Sequence, residues 1–132
     1  VHALGERYMV GLAANGLGEG GETWVHIRPG RHPQQATQLL TMLASLEPFR
    51  GLPFEEMLYS IQASLPFGST VVAVTAVPTP GLYEALLSLE QTGHRVLLLT
   101  VGDEEPAVPE LLNSYYLGGT DAWHRLEALA VA

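Results

Sequence analysis

Residues 70–101 read TVVAVTAVPTPGLYEALLSLEQTGHRVLLLTV, and this stretch decides the fold class. Its two ends, Thr70–Thr75 and Arg95–Val101, are nearly continuous apolar runs rich in valine and leucine, the pattern of strands buried on both faces. Between them Thr79 stands as an N-cap and Pro80 as the first helical residue. Gly93 falls where a left-handed residue ends a helix. Strand, helix and strand in that order make a parallel βαβ unit with a right-handed crossover. An α/β architecture follows, with Val72, Val74, Leu97, Leu99, Leu86 and Ile61 expected almost fully buried in its core.

Upstream, Tyr8, Val10 and Leu12 alternate with Met9, Gly11 and Ala13. Val25 and Ile27 alternate with Trp24, His26 and Arg28. These two β-patterned segments flank the polar, glycine-rich residues 15–22, and the whole reads as an antiparallel hairpin ended by Pro29-Gly30. Ala36, Leu39, Leu40, Leu43 and Leu46 then keep a helical period up to Pro48. A second helix carries Phe54, Met57, Leu58, Ile61 and Leu65 and stops at Pro66 and Gly68. Downstream of the βαβ unit, residues 103–106 open a loop and residues 109–113 are expected to form a short helix. Tyr115, Tyr116 and Leu117 follow as a strand. Thr120 is placed to cap a last amphipathic helix bearing Ala122, Trp123, Leu126 and Leu129.

At 132 residues the chain has the length of one domain, and its 47% apolar content is that of a globular protein. A net charge of −8, with only six scattered Lys and Arg residues, argues against nucleic acid and anionic membrane surfaces as partners, since both require a basic footprint. Cysteine is absent, which removes disulfides, thiolate metal sites and a cysteine nucleophile. No apolar window is long enough to span a bilayer, and the composition suits the cytoplasm. The opening Val1-His2-Ala3-Leu4-Gly5 reads as the tail of a helix, so residues 1–132 are expected to be part of a longer protein.

The order of elements resembles the von Willebrand factor type A fold after its first strand and helix. The wording of ALGERYMVGLAANG, QLLTMLASL, SLPFGSTVVAVT, LLSLEQTGHRVLLLTVGD and WHRLEALA resembles a bacterial family, domain of unknown function 58. That resemblance implies a Rossmann-like three-layer sandwich with a mostly parallel sheet and one antiparallel hairpin, lacking here its central first strand and helix. It also implies a parent protein often anchored through upstream membrane helices, and a functional link to MoxR-type AAA+ ATPases. The family's metal-ion-dependent adhesion site draws Asp-x-Ser-x-Ser from the absent strand, a threonine from the loop before the second paired helix, and an aspartate after the next strand. Here the loop reads Phe49-Arg50-Gly51-Leu52-Pro53 and the strand end reads Thr75-Ala76. Both supporting ligands are missing, and no metal or other cofactor is expected.

Few residue constellations carry chemistry. Gly16, Gly18 and Gly21 match the G-x-G-x-x-G spacing, but a phosphate loop must lead into a helix and this one enters TWVHIR. It is read as a hairpin loop. None of the five histidines has the spacing of a zinc site, and no serine sits in a nucleophile elbow. Thr75, Thr79, Gly102, Asp103 and Glu104, with Glu105 beside them, lie at the carboxyl ends of adjacent parallel strands, where open α/β sheets place ligands. They form a candidate ligand rim, and its plainer interpretation is a solvated acidic turn. Trp24, His26 and Arg28 share one strand face and form a candidate partner contact. The function expected is a non-catalytic protein-interaction module that self-associates through exposed sheet edges. The alternative is a small ligand- or nucleotide-binding Rossmann-like enzyme using the strand ends near Thr75 and Gly102.

Overall fold

A computed structural model describes residues 9–17, 24–48 and 52–119. The chain divides into two compact units, Val1–Ser64 and Leu65–Ala132. It is a mixed α/β protein with a three-stranded parallel sheet in one unit and a two-stranded antiparallel sheet in the other.

In the first unit, β1 (Val10–Ala14) pairs antiparallel with β3 (Val25–Gly30). The hairpin is the expected one, but Pro29 and Gly30 belong to the second strand rather than ending it. Gly30 pairs with Val10, and the ladder slips between Val10 and Leu12. That slip is a β-bulge, and glycine is required at its centre. A Cβ on Gly11 would lie 2.7 Å from the Ile27 carbonyl oxygen and 2.9 Å from the Pro29 nitrogen, both backbone atoms with nowhere to retreat. A two-residue strand, β2 (Gly16–Leu17), pairs with β4 (Glu47–Pro48). No local pattern announces this pairing.

Two helices pack on β1: α1 (Gln35–Ser45) and α2 (Phe54–Gln62). Helix α2 buries Met57, Leu58 and Ile61, as its periodicity requires. Helix α1 buries Leu39 but leaves Leu40 and Leu43 exposed, so its apolar stripe is wider than the surface that covers it. The other buried residue of α1 is polar. Gln35 is 3% exposed, and its side-chain amide donates to the Val10 carbonyl at 2.7 Å and the Arg28 carbonyl at 3.1 Å. One amide thus joins both hairpin strands beside the bulge to the first turn of the helix.

In the second unit the βαβ reading holds. Strand β5 (Thr70–Thr75), helix α3 (Pro80–Gln91) and strand β6 (Arg95–Val101) follow in order, and β5 pairs parallel with β6 from Thr70↔Arg95 to Thr75↔Thr100. Thr79 caps the helix by accepting from the Leu82 N–H at 3.2 Å. Gly93 takes φ +98° beyond its end, where a side chain would be strained. Strand β7 (Ser114–Gly118) adds parallel to β6. Leu82, Ala85, Leu86 and Leu89 of α3, spaced three and four apart, are all buried, and α3 lies against β6.

The core differs from its expectation in one respect. Leu86 and Ile61 are buried, but Val72 and Val74 are 46% and 52% exposed, and Leu97 and Leu99 are only half-buried. The buried positions are their strand neighbours Ala73, Val96, Leu98 and Thr100. Successive side chains point to opposite faces, and among the described residues only one face of this sheet is covered. The expected short helix over residues 109–113 is a single turn, closed by the Leu112 N–H donating to the Pro109 carbonyl. The expected last helix lies outside the described residues, as do Tyr8 and the loop glycines Gly18 and Gly21.

Candidate functional site

The strand ends gather the sequence-derived rim. Thr75 closes β5 opposite Thr100. Its hydroxyl accepts from the Val77 N–H at 3.4 Å, which turns the chain toward α3. Thr79 is exposed, but its oxygen is already engaged as the helix cap.

Gly102 follows β6 with φ +118°, a conformation glycine adopts freely. Its N–H donates to the Gly118 carbonyl at 3.0 Å, and its own carbonyl accepts from the Tyr116 hydroxyl at 2.5 Å. Tyr83 of α3 donates its hydroxyl to the Ala107 carbonyl at 2.9 Å, fastening the β6–β7 connection from the helix side. The two tyrosines carry no sequence signal beyond their places in a helix and a strand, and they hold the rim in shape.

Asp103, Glu104 and Glu105 are exposed. The Asp103 carboxylate lies against Gly119, close enough that a Cβ there would overlap its Oδ1 and stand 3.2 Å from its Cγ. Among the described residues no three His, Cys, Asp or Glu side chains converge on a point that would hold a metal ion. The rim therefore brings Thr75, Gly102 and Asp103 to one end of the sheet. It leaves Glu104 and Glu105 solvated and commits Thr79 to capping. Of the adhesion-site positions, Ala76 is an exposed bend residue with no ligating group, and residues 49–51 lie outside the described residues.

The aromatic candidate sits on the hairpin. Trp24 and His26 stack with ring centroids 5.9 Å apart and 19° between their planes. Both are half-buried, while Arg28, next along the same face, is exposed. Trp24 spends part of its surface on His26, so it is less available than an exposed anchor would be. Val25 points the other way and is buried.

The described structure also presents an open sheet edge. Among the described residues β5 has one neighbour, β6. The Ser69 carbonyl accepts from the Arg95 N–H, and backbone groups alternate sides along a strand. The N–H and C=O of Thr70, Val72 and Val74 therefore point away from β6. No charge, proline or bulge interrupts TVVAVT, whose register with β6 is regular throughout. The opposite edge strand β7, in contrast, carries a register shift.

Comparison with known protein families, curated proteins and solved structures finds no match. No helix among the described residues is long and apolar enough to cross a membrane.

Proposed function

We propose that this chain is a protein-interaction module that recognises its partners by strand addition at the edge of β5. The observation that carries it is the edge itself: six residues, regular and uncharged, with outward backbone groups at Thr70, Val72 and Val74. Edges of globular proteins are ordinarily blunted by charges, prolines or bulges, because an open edge is a template for another strand. In strand addition the main-chain hydrogen bonds supply affinity and alternate side chains supply specificity. The role is non-catalytic.

The resemblance to von Willebrand A-like modules of the domain of unknown function 58 family supports the same conclusion. In that arrangement a strand from the preceding part of the protein fills this edge, and a MoxR-type AAA+ ATPase is the partner class. In the isolated chain, a second copy is the strand donor. The Trp24, His26 and Arg28 face is a secondary contact.

The test is sedimentation of the chain over a wide concentration range beside Val72→Pro. Proline removes one outward donor and leaves the β6 ladder intact. Reversible dimerisation that Val72→Pro weakens at least tenfold supports the proposal, and a monomer at every concentration refutes self-association through this edge. Binding of a purified MoxR-type ATPase that is weakened by the same substitution supports the wider role. A thermal shift on adding magnesium, manganese or nucleotide, abolished by Asp103→Asn, would instead favour a ligand-binding rim, because a ligand selective for the native state raises its stability.

A further inference from the structure

The outward backbone groups of β5 repeat symmetrically about its middle. Thr70, Val72 and Val74 turn their N–H and C=O away from β6, because the Ser69 carbonyl accepts from the Arg95 N–H and the ladder runs unbroken to Thr75↔Thr100. Val72 is the centre of this row, with Thr70 two residues before it and Val74 two residues after. Thr70 is exposed, and Val72 and Val74 are 46% and 52% exposed.

Charge decides what kind of strand can approach. The chain carries a net charge of −8, so like charge opposes the approach of a second copy. The stretch that holds β5 is free of that obstacle. Between Glu56 and Glu84 the sequence has no Asp, Glu, Lys, Arg or His. The flanks of the strand are apolar as well. Phe67, in the turn that the Ser69 N–H closes on the Pro66 carbonyl, is 95% exposed, and Val77, in the bend after the strand, is 77% exposed. Such an edge offers a charged partner no ion pair, and it presents no repulsion to an identical edge.

Symmetry then fixes the direction. In a parallel pair related by a two-fold axis, each outward N–H would lie level with its own counterpart and find no carbonyl. In an antiparallel pair, opposed residues exchange both hydrogen bonds, and a two-fold axis makes the contact isologous. One register uses all three residues: Val72 opposite the partner's Val72, and Thr70 opposite the partner's Val74. A shift of two residues leaves one of the three unpaired in each copy. A shift of one opposes groups that already bond β6.

On the basis that this edge binds strands, as proposed for its function, we infer that its occupant is β5 of a second copy, antiparallel and centred on Val72. The Phe67 turn of each copy then lies beside the Val77 bend of the other, and the two parallel sheets join into one.

Thiol pairing reads the register, because the chain has no cysteine of its own. Opposed Cα atoms in such a pair are about 5.5 Å apart, within reach of a disulfide. Positions four residues removed are about 14 Å away and out of reach. Oxidised with diamide, Val72→Cys is expected to form covalent dimers. Thr70→Cys alone and Val74→Cys alone are expected to stay monomeric on denaturing gels, and a mixture of the two to give the mixed dimer. Suppose sedimentation shows a dimer that Val72→Pro weakens, yet Thr70→Cys links to itself, or links to Val72→Cys in preference to Val74→Cys, or Val72→Cys does not link. Each of these results would overturn the inference and leave strand addition standing. A monomer at every concentration would overturn it together with self-association through this edge. Salt supplies a second readout. The dimer is expected to hold or strengthen as salt rises, because the net charge between copies is repulsive. Dissociation by salt would overturn the inference by showing that ion pairs hold the copies together.

Discussion

Gln35 offers the sharpest test of how the first unit is held together. Its amide makes two donations, at 2.7 Å to Val10 and 3.1 Å to Arg28, from a side chain that is 3% exposed. Replacing it with methionine keeps the length and apolar contact and removes both donors. An acceptor left unpaired in the interior costs about 1–3 kcal/mol. Val10 is half-buried and Arg28 exposed, so water reaches part of the vacated sites and the lower end of that range applies. Two such losses amount to about 2–3 kcal/mol, a large fraction of the roughly 5–15 kcal/mol that holds a domain together.

The assay must report on this unit alone, because two units need not unfold as one transition. In a Trp123→Phe background the fluorescence of Trp24 reports hairpin unfolding in urea. Gln35→Met should move the midpoint down with the slope unchanged. Gln35→Glu adds a pH signature. A carboxylate facing two carbonyl oxygens is disfavoured in its charged form, so the folded state raises its pKa above the unfolded value of about 4.3. The protonated acid still donates to one carbonyl. Its contribution is fully present below the unfolded pKa and is lost as pH rises through the folded one, so Gln35→Glu should approach the parent near pH 4 and fall furthest behind at neutral pH. If Gln35→Met lies within about 0.5 kcal/mol of the parent, a difference typical of an unremarkable surface position, the amide is not the clamp described here.

Three further substitutions probe the same packing. Leu98→Ala empties a fully buried position and should cost about 2–5 kcal/mol in denaturant melts. Gly11→Ala forces a Cβ against two backbone atoms of β3 and should lower the midpoint of the Trp24 transition while sparing the second unit. Thr79→Ala removes the cap on Leu82 and should cost about 0.5–2 kcal/mol, with Thr79→Ser recovering most of the loss.

What the sequence conveyed follows a physical division. The βαβ unit was legible because its signals are local: the cap at Thr79, proline at Pro80, the positive φ at Gly93 and the period of Leu82, Ala85, Leu86 and Leu89 each act within a few residues. The coverage of the sheet was not, because a continuous apolar run such as TVVAVT marks a strand without saying what lies on each of its faces. Val72 and Val74 were therefore expected inside and are exposed. The Gly16–Leu17 to Glu47–Pro48 pairing and the role of Gln35 were hidden for the same reason: their partners lie 30 to 32 and up to 25 residues away. Residues 109–113 had helix-compatible composition, but they close only one turn. At the rim, Thr75 closes β5 opposite Thr100 and Gly102 follows the end of β6, as the register of parallel strands requires. The cap role of Thr79, equally visible in the sequence, takes that oxygen out of the rim.

The edge of β5 is tested most directly by amide hydrogen exchange at Val72 and Val74, followed residue by residue as protein concentration is raised. Both N–H groups point away from β6, so in a monomer nothing described here protects them. Protection at these two amides should grow with concentration, and Val72→Pro should abolish it at Val74. Rapid exchange at every concentration, or protection already complete in the most dilute monomer, would contradict recognition through this edge.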